Sequence, residues 1–193
     1  MKPNINFVTD RIAIGGDLDT GRPEVARSQL LELVDRGMTH IVDCREEWSD
    51  ADFVAQWAPG IGYLHNGTHD NGSAQSQSFF DRGIEYARTT LDQADTKVLL
   101  HCHMGVNRGP SMGFAVLLDQ GWDPIEALDA IRAARPIAAV GYARDALIHR
   151  LDRSGANQHE IDRELRRLRE WQERNPIDVV RIIRDIRSAE NAA

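Results

Sequence analysis

Residues 97–118 constrain this chain more than any other stretch. Lys97-Val98-Leu99-Leu100-His101 is a near-continuous apolar run without polar alternation, the pattern of a strand buried on both faces of a parallel sheet. A short loop, Cys102 to Arg108, follows it. Pro110 then opens a helix at an early position, where a missing N–H is tolerated. Met112, Phe114, Ala115, Val116, Leu117 and Leu118 make that helix apolar nearly all round, so it belongs at the centre of a core. A buried strand turning directly into a buried helix implies a layered α/β structure.

The rest of the chain fits that frame. Ile5–Val8 and Ile12–Ile14 are short apolar runs separated by Thr9-Asp10-Arg11 that read as a small hairpin, with Gly15-Gly16-Asp17 ending the second. Val25, Leu30, Leu31, Leu33 and Val34 have near-helical spacing, with Gly37 as the stop. His40–Cys44 and Ile61–His65 read as strands, with one or two helical turns at 50–57 between them. Residues 67–76 form a polar loop containing Asn71-Gly72. Phe79, Phe80, Ile84, Ala87 and Leu91 mark a helix, and further helices are expected at 123–131 and 141–153. The expected fold is an α/β three-layer sandwich: a central, mostly parallel sheet of about five strands flanked by helices. Residues 1–153 read as one catalytic domain and 154–193 as a C-terminal helical extension. That extension carries two apolar stripes, Ile161/Leu165/Leu168/Trp171 and Val179/Val180/Ile182/Ile183/Ile186, separated by Pro176. They are expected to pack back on the domain; the alternative is a homodimer or partner contact through these helices.

Ligands of such sheets bind beyond the carboxyl ends of the strands, which is where Cys102 to Arg108 lies. The backbone N–H groups of a loop this short can converge on one point, and the N-terminus of the following helix adds positive partial charge. Arg108 can grip two oxygens of a tetrahedral dianion with its planar fork. The same field favours a thiolate at Cys102. One loop thus builds both a nucleophile and its anion cradle.

His101-Cys102, five residues, then Arg108, after an apolar strand, resembles the signature of the protein tyrosine and dual-specificity phosphatase superfamily. Arg11–Gly16, Arg36–Val42 and the pair Glu126-Ala127-Leu128 with Arg135-Pro136 resemble its flanking segments, so the similarity runs over about 5–150 and is nearest the compact dual-specificity branch. The resemblance implies a two-step reaction. Cys102 attacks phosphorus to give a phosphocysteine while an aspartic acid protonates the leaving oxygen, and water then releases phosphate with the same aspartate as base. The acid of this branch lies on a loop before the cysteine, which points to Asp70, thirty-two positions ahead; Asp81, the next candidate, falls inside a helix. The resemblance makes His103, Met104, Gly105, Val106, Asn107 and Arg108 the phosphate loop, His101 its buried orienter, and Asn107 and Ser111 its hydrogen-bonding support.

Two departures matter. Active relatives usually place Ser or Thr after the arginine, where the hydroxyl helps the thiolate leave; here Gly109 stands there, so slow phosphocysteine hydrolysis is expected. The loop also lacks lysine, unlike the phosphoinositide branch, and so suits a phosphomonoester on a protein or small molecule. Cys44, at the end of a neighbouring strand, is either a plain buried thiol or a redox partner of Cys102, as the similar cysteine is in a phosphoinositide 3-phosphatase of the superfamily.

Several classes are disfavoured. The net charge is −7; residues 1–150 hold 14 Lys+Arg against 21 Asp+Glu, and the remainder is balanced. That argues against nucleic acid or an anionic membrane as partner, and so against an RNA 5′-triphosphatase, which Gly105-Val106-Asn107-Arg108 otherwise resembles. A weakly catalytic phospho-binding module is the third reading, kept open by Gly109. No run approaches the roughly 20 apolar residues of a membrane span. With no apolar signal segment behind Met1 and only two cysteines, a cytoplasmic protein is expected. No cofactor is expected, and no metal: adjacent His101, Cys102 and His103 point alternately, and no second ligand cluster accompanies them.

Overall fold

The computed structural model describes residues 2–190; Met1 and the last three residues of the predicted extension lie outside the described residues. Five strands form one sheet: β1 (Ile5–Phe7), β2 (Ile12–Gly15), β3 (His40–Arg45), β4 (Gly62–Thr68) and β5 (Val98–His101). Their order is β1-β2-β5-β3-β4, and only β1 runs antiparallel. The eight helices are α1 (Pro23–Asp35), α2 (Ala51–Trp57), α3 (Gln77–Leu91), α4 (Arg108–Asp119), α5 (Pro124–Ala134), α6 (Ala143–Arg153), α7 (Gln158–Arg174) and α8 (Val179–Glu190). The mixed five-stranded sheet between helical layers is the α/β sandwich expected.

Strand alternation divides the core in two. Ile12, Ile14, Val42, Val98 and Leu100 face α4 and the helices around it. Ala13, Ile41 and Leu99 face the other way, against Ala26, Leu30 and Leu33 of α1. Every residue of α4 from Arg108 to Leu118 is buried, because the helix lies between the sheet and α3, α5 and α6. This is why its sequence is apolar all round.

Several expected boundaries move by a few residues, three of them near the site. β4 runs on to Thr68, two residues into the expected loop, because Thr68 pairs with Arg45 beyond an irregularity in the β3–β4 ladder. Helix α4 begins at Arg108 rather than at Pro110, which takes its third position. Helix α6 begins at Ala143 instead of Gly141.

The two tail helices return to the body differently. On α7, Leu168 and Trp171 are buried, Trp171 Nε1 donates to Asp129 (2.6 Å), and Arg167 grips both oxygens of Asp123. On α8, Val179, Ile182, Ile183 and Ile186 are half-buried, and Val180 is left exposed.

Candidate active site

The sheet delivers Cys102 to its carboxyl edge, and the loop that follows is wrapped so that its carbonyls point outward. His103 O accepts from Asp17 N (3.0 Å), Met104 O from Arg135 Nη2 (2.9 Å), Gly105 O from Arg135 Nε (2.6 Å) and Val106 O from Ala139 N (2.7 Å). In a trans peptide the N–H lies opposite the C=O. Four consecutive carbonyls turned out therefore turn the N–H groups of Met104, Gly105, Val106 and Asn107 in. Among the described residues none of those N–H groups donates to a protein acceptor. The N-terminus of α4 faces the same point and has no side-chain cap at Asn107. Inward N–H groups at a helix N-terminus are an arrangement that can bind an anion.

Gly105 makes the wrap feasible. Its φ is +63°, and a Cβ there would lie 2.4 Å from the carbonyl carbon of Gly15 and 2.6 Å from Arg135 Nη2. Arg135 itself is buried and also donates to Asn6 Oδ1 (2.8 Å) and Asn4 Oδ1 (3.0 Å), so it ties the loop to the strand-β1 segment.

Arg108 is buried, and its outer edge is fixed. Nη1 and Nη2 donate to the two Glu47 oxygens (2.7 and 3.0 Å), and Nη1 also to Thr68 O (3.1 Å). Burial works against the guanidinium charge, but the Glu47 hydrogen bonds and the neighbouring Cys102 raise its pKa overall. The same pair draws the Glu47 carboxyl down to about 2. Arg108 Nε is buried without a hydrogen-bond partner, 3.4 Å from Asp70 Oδ2. One edge of the fork is thus anchored while Nε remains for a ligand.

Asp70 sits on the loop between β4 and α3. Its Oδ1 accepts from Asn107 Nδ2 (2.6 Å) and from the Tyr142 hydroxyl (2.8 Å). Asn107 Oδ1 in turn accepts from Gly141 N (2.6 Å), so one amide joins the acid loop, the 102–108 loop and the approach to α6. Asp81 lies elsewhere: its carboxylate takes His149 Nε2 (2.9 Å) and Arg153 Nη1 (2.8 Å).

His101 is buried, and burial pushes its pKa down, so its ring is neutral at pH 7. Its Nε2 lies 3.7 Å from Asp43 Oδ1. Burial opposes ionisation of Asp43, yet hydrogen bonds from Arg45 and Tyr63 hold its pKa below the usual range. Arg45 is fully buried and grips Asp43, Asp50 and Asp17. Asp17 then accepts from His103 Nδ1 (2.8 Å), and Trp48 meets the His103 ring edge-on. A charge network under the sheet edge therefore reaches the loop. Ser111 is buried with its hydroxyl committed: it accepts from Tyr142 N (3.2 Å) and faces Asn107 Oδ1 (3.5 Å). Gly109 packs on strand β5; a Cβ there would lie 2.9 Å from the backbone of Leu100 and His101.

Cys44 and Cys102 are both buried free thiols. The β3–β5 register pairs Asp43 with His101, and one step further sets Cys44 beside Cys102. Burial pushes the Cys44 thiol well up, so Cys44 stays protonated at neutral pH.

The structure gathers Cys102, Asp70, His103, Met104, Val106, Asn107 and Arg108 around one cleft of about 440 Å³, while Gly105 does not line it. Sequence reasoning left out Glu47, Tyr142 and the clamp made by Arg135. The Glu46-Glu47-Trp48 run beside an expected strand end was the available signal for the first. Arg135 was marked only by the resemblance of Arg135-Pro136 to a flanking segment, and Tyr142 had no signal, since its partners are far away in sequence.

Comparison with known proteins places this geometry. No protein-family model matches the chain. The human dual specificity protein phosphatase 13B is 28% identical over 118 residues, covering 58% of this chain and 56% of that protein. The rat dual specificity protein phosphatase 26 is 27% identical over 107 residues, covering 55% and 51%. The chain thus spans about half the length of the curated relatives it matches. Among solved structures, Tk-PTP in its active form superposes with a TM-score of 0.61 at 24% identity, covering 78% of this chain and 98% of that one. The chain has the fold of the cysteine-dependent tyrosine and dual-specificity phosphatases, and its sequence is similar to dual specificity phosphatases over a little more than half of its length. About a fifth of it has no counterpart in that neighbour.

Proposed function

We propose that this chain is a cysteine-dependent phosphatase that hydrolyses phosphomonoesters, phosphotyrosine first and phosphoserine or phosphothreonine as further substrates, through a phosphocysteine. The observation that carries the reading is the row of outward-held carbonyls from His103 to Val106, which aims their N–H groups at the space beside Cys102 and Arg108 Nε. A phosphoryl dianion bound there has its equatorial oxygens on backbone N–H groups and on the free edge of Arg108. Cys102 Sγ then attacks phosphorus in line, the P–O bond to the leaving group breaks, and Asp70 gives that oxygen its proton. Water next attacks the phosphocysteine; Asp70 takes a proton from it, and the S–P bond breaks to return the thiolate.

Residues 1–153 carry this chemistry in our reading, with 154–193 added to it. The substrate is a phosphoprotein or a small phosphomonoester, and the reducing cytoplasm suits a thiol nucleophile. No lysine lines the cleft among the described residues, and Glu47 and Asp70 do, which disfavours a polynucleotide substrate.

The test is hydrolysis of p-nitrophenyl phosphate under reductant by the wild type and Cys102→Ser. Activity in the first and none in the second is the expected result. Activity surviving in Cys102→Ser would overturn the mechanism, and equal inactivity with tight phosphopeptide binding would make the chain a binding module instead.

A further inference from the structure

The C-terminal helix lies over the catalytic cleft. Val179, Ile183 and Arg187, spaced four apart on one face of α8, line the same cleft as Cys102, Asp70 and Arg108. Ile186 lines the adjoining groove with Trp48, His103 and Met104. The ion pairs of α8, Arg181–Asp185 and Arg184–Asp185, are internal, and Arg181 N and Ile182 N donate to Asp178 just before the helix. Helix α7, by contrast, is fastened by Trp171 and Arg167. The chain between the two helices passes through Pro176, which has no N–H to donate. A solved neighbour is matched along 98% of its length by 78% of this chain, so this chain exceeds the shared fold.

We propose that α8 is the outer wall of the cleft and its substrate filter. With α8 seated, the cleft takes aryl phosphates small enough to fit inside it, and a phosphate carried on a peptide reaches Cys102 only once α8 is displaced. The proposal rests on the phosphatase reading above. A cleft of about 440 Å³ holds a phosphoryl group and one ring, with Val179 and Ile183 supplying an apolar wall beside the ring. An extended six-residue peptide, by contrast, is about 20 Å long and must leave the cleft at both ends of its phosphorylated residue. The space it would leave through is where α8 sits. Partial burial of four aliphatic side chains is a contact that a competing chain can replace.

The experiment uses the full chain and leaves the cleft lining intact. Ile182→Asp/Ile186→Asp puts two carboxylates on the seated face of α8, while Val180→Asp puts one on its exposed face. For each protein kcat/KM is measured on p-nitrophenyl phosphate and on a ten-residue phosphotyrosine peptide. The ratio of peptide to aryl phosphate should rise at least tenfold in the double variant and stay at the wild-type value in Val180→Asp. An unchanged ratio in the double variant, with aryl phosphate turnover intact, overturns the filter and leaves the phosphatase reading standing. Failure of the wild type to turn over either substrate strikes the phosphatase reading instead. The filter is then read by alkylation of Cys102 with iodoacetamide and with a fluorescein iodoacetamide: the double variant should react at least tenfold faster with the bulky reagent alone. An equal bulky-to-small ratio in both proteins refutes the wall.

Discussion

Replacing Asp70 by Asn separates chemistry from architecture. The Asn oxygen can still accept from Asn107 and Tyr142, which hold the native carboxylate at 2.6 and 2.8 Å. What disappears is the 3.4 Å contact between Oδ2 and Arg108 Nε, on a side chain one-third exposed, and the ability to carry a transferable proton. A partly exposed ion pair is worth up to about 1 kcal/mol, or about fivefold in rate. Loss of a general acid costs about 10²- to 10⁴-fold, or about 3–5 kcal/mol of barrier. The two effects do not overlap in size, so a fall above about a hundredfold belongs to the proton. The leaving group sharpens the assignment. A nitrophenolate departs with little help, while the alkoxide of phosphoserine needs a proton as it leaves. Asp70→Asn should therefore lose more kcat/KM on a phosphoserine peptide than on p-nitrophenyl phosphate, with its melting temperature near the wild-type value. Equal losses on both substrates, or a fall of only about fivefold on each, would refute Asp70 as the acid.

Four further outcomes follow from named contacts. Arg135→Met leaves the Met104 and Gly105 carbonyls without donors, so it should cost at least about 3 kcal/mol in urea unfolding and raise KM; a loss below about 1 kcal/mol with unchanged KM would show that the loop wraps without its clamp. Glu47, held at about 2 by Arg108, stabilises the fold fully above its ordinary 4.5 and loses that contribution as pH falls through about 2. Its side chain is half exposed, so screening leaves about 1 kcal/mol, and wild-type melting should drop faster than that of Glu47→Gln between those pH values; parallel curves would contradict the pairing. Slow phosphocysteine hydrolysis should give a burst of p-nitrophenol at saturating substrate, and a linear trace would count against it; Gly109→Ser should be destabilised rather than accelerated, since its Cβ meets the Leu100 and His101 backbone. Mild peroxide should yield a linked Cys44–Cys102 peptide by mass spectrometry, and recovery of only sulfinic or sulfonic Cys102 would make Cys44 a plain buried thiol.

What was legible in the sequence is what local pattern determines. The run Val98–His101, the loop to Arg108 and the all-round apolar helix have to adjoin because they are consecutive, and the structure places them so. Asp70 was reachable through the resemblance and its spacing from Cys102, and it lies in the cleft. The β4 boundary was not legible, because Gly67 and Thr68 look like loop residues until Thr68 finds Arg45 on the neighbouring strand. Glu47 and Arg135 escaped for the same reason: their partners, Arg108 and the Met104–Gly105 carbonyls, are 61, 31 and 30 positions away, and no periodicity reports such a pairing. The stripe on α8 was plain, but an apolar stripe says only that a helix face is covered. It does not say that what it covers is the mouth of the site.

Gly109 connects these pieces. Helix α4 approaches the end of β5 so closely that its second residue has no room for a side chain. That closeness brings the helix N-terminus and Arg108 against the loop that starts at Cys102. It also excludes, at that position, the hydroxyl that active relatives use to help the thiolate leave. Ser111 does not replace it, because its O–H is directed at Asn107 Oδ1 while its oxygen accepts from Tyr142 N and so ties α4 to the segment entering α6. On the phosphatase reading proposed above, the site favours capture of the phosphoryl group, through a tightly packed cradle and an anchored arginine, over its release. A covering helix suits such a site. With phosphocysteine breakdown as the slow step, a wall that delays peptide entry leaves the maximal turnover of that substrate unchanged and acts on kcat/KM alone.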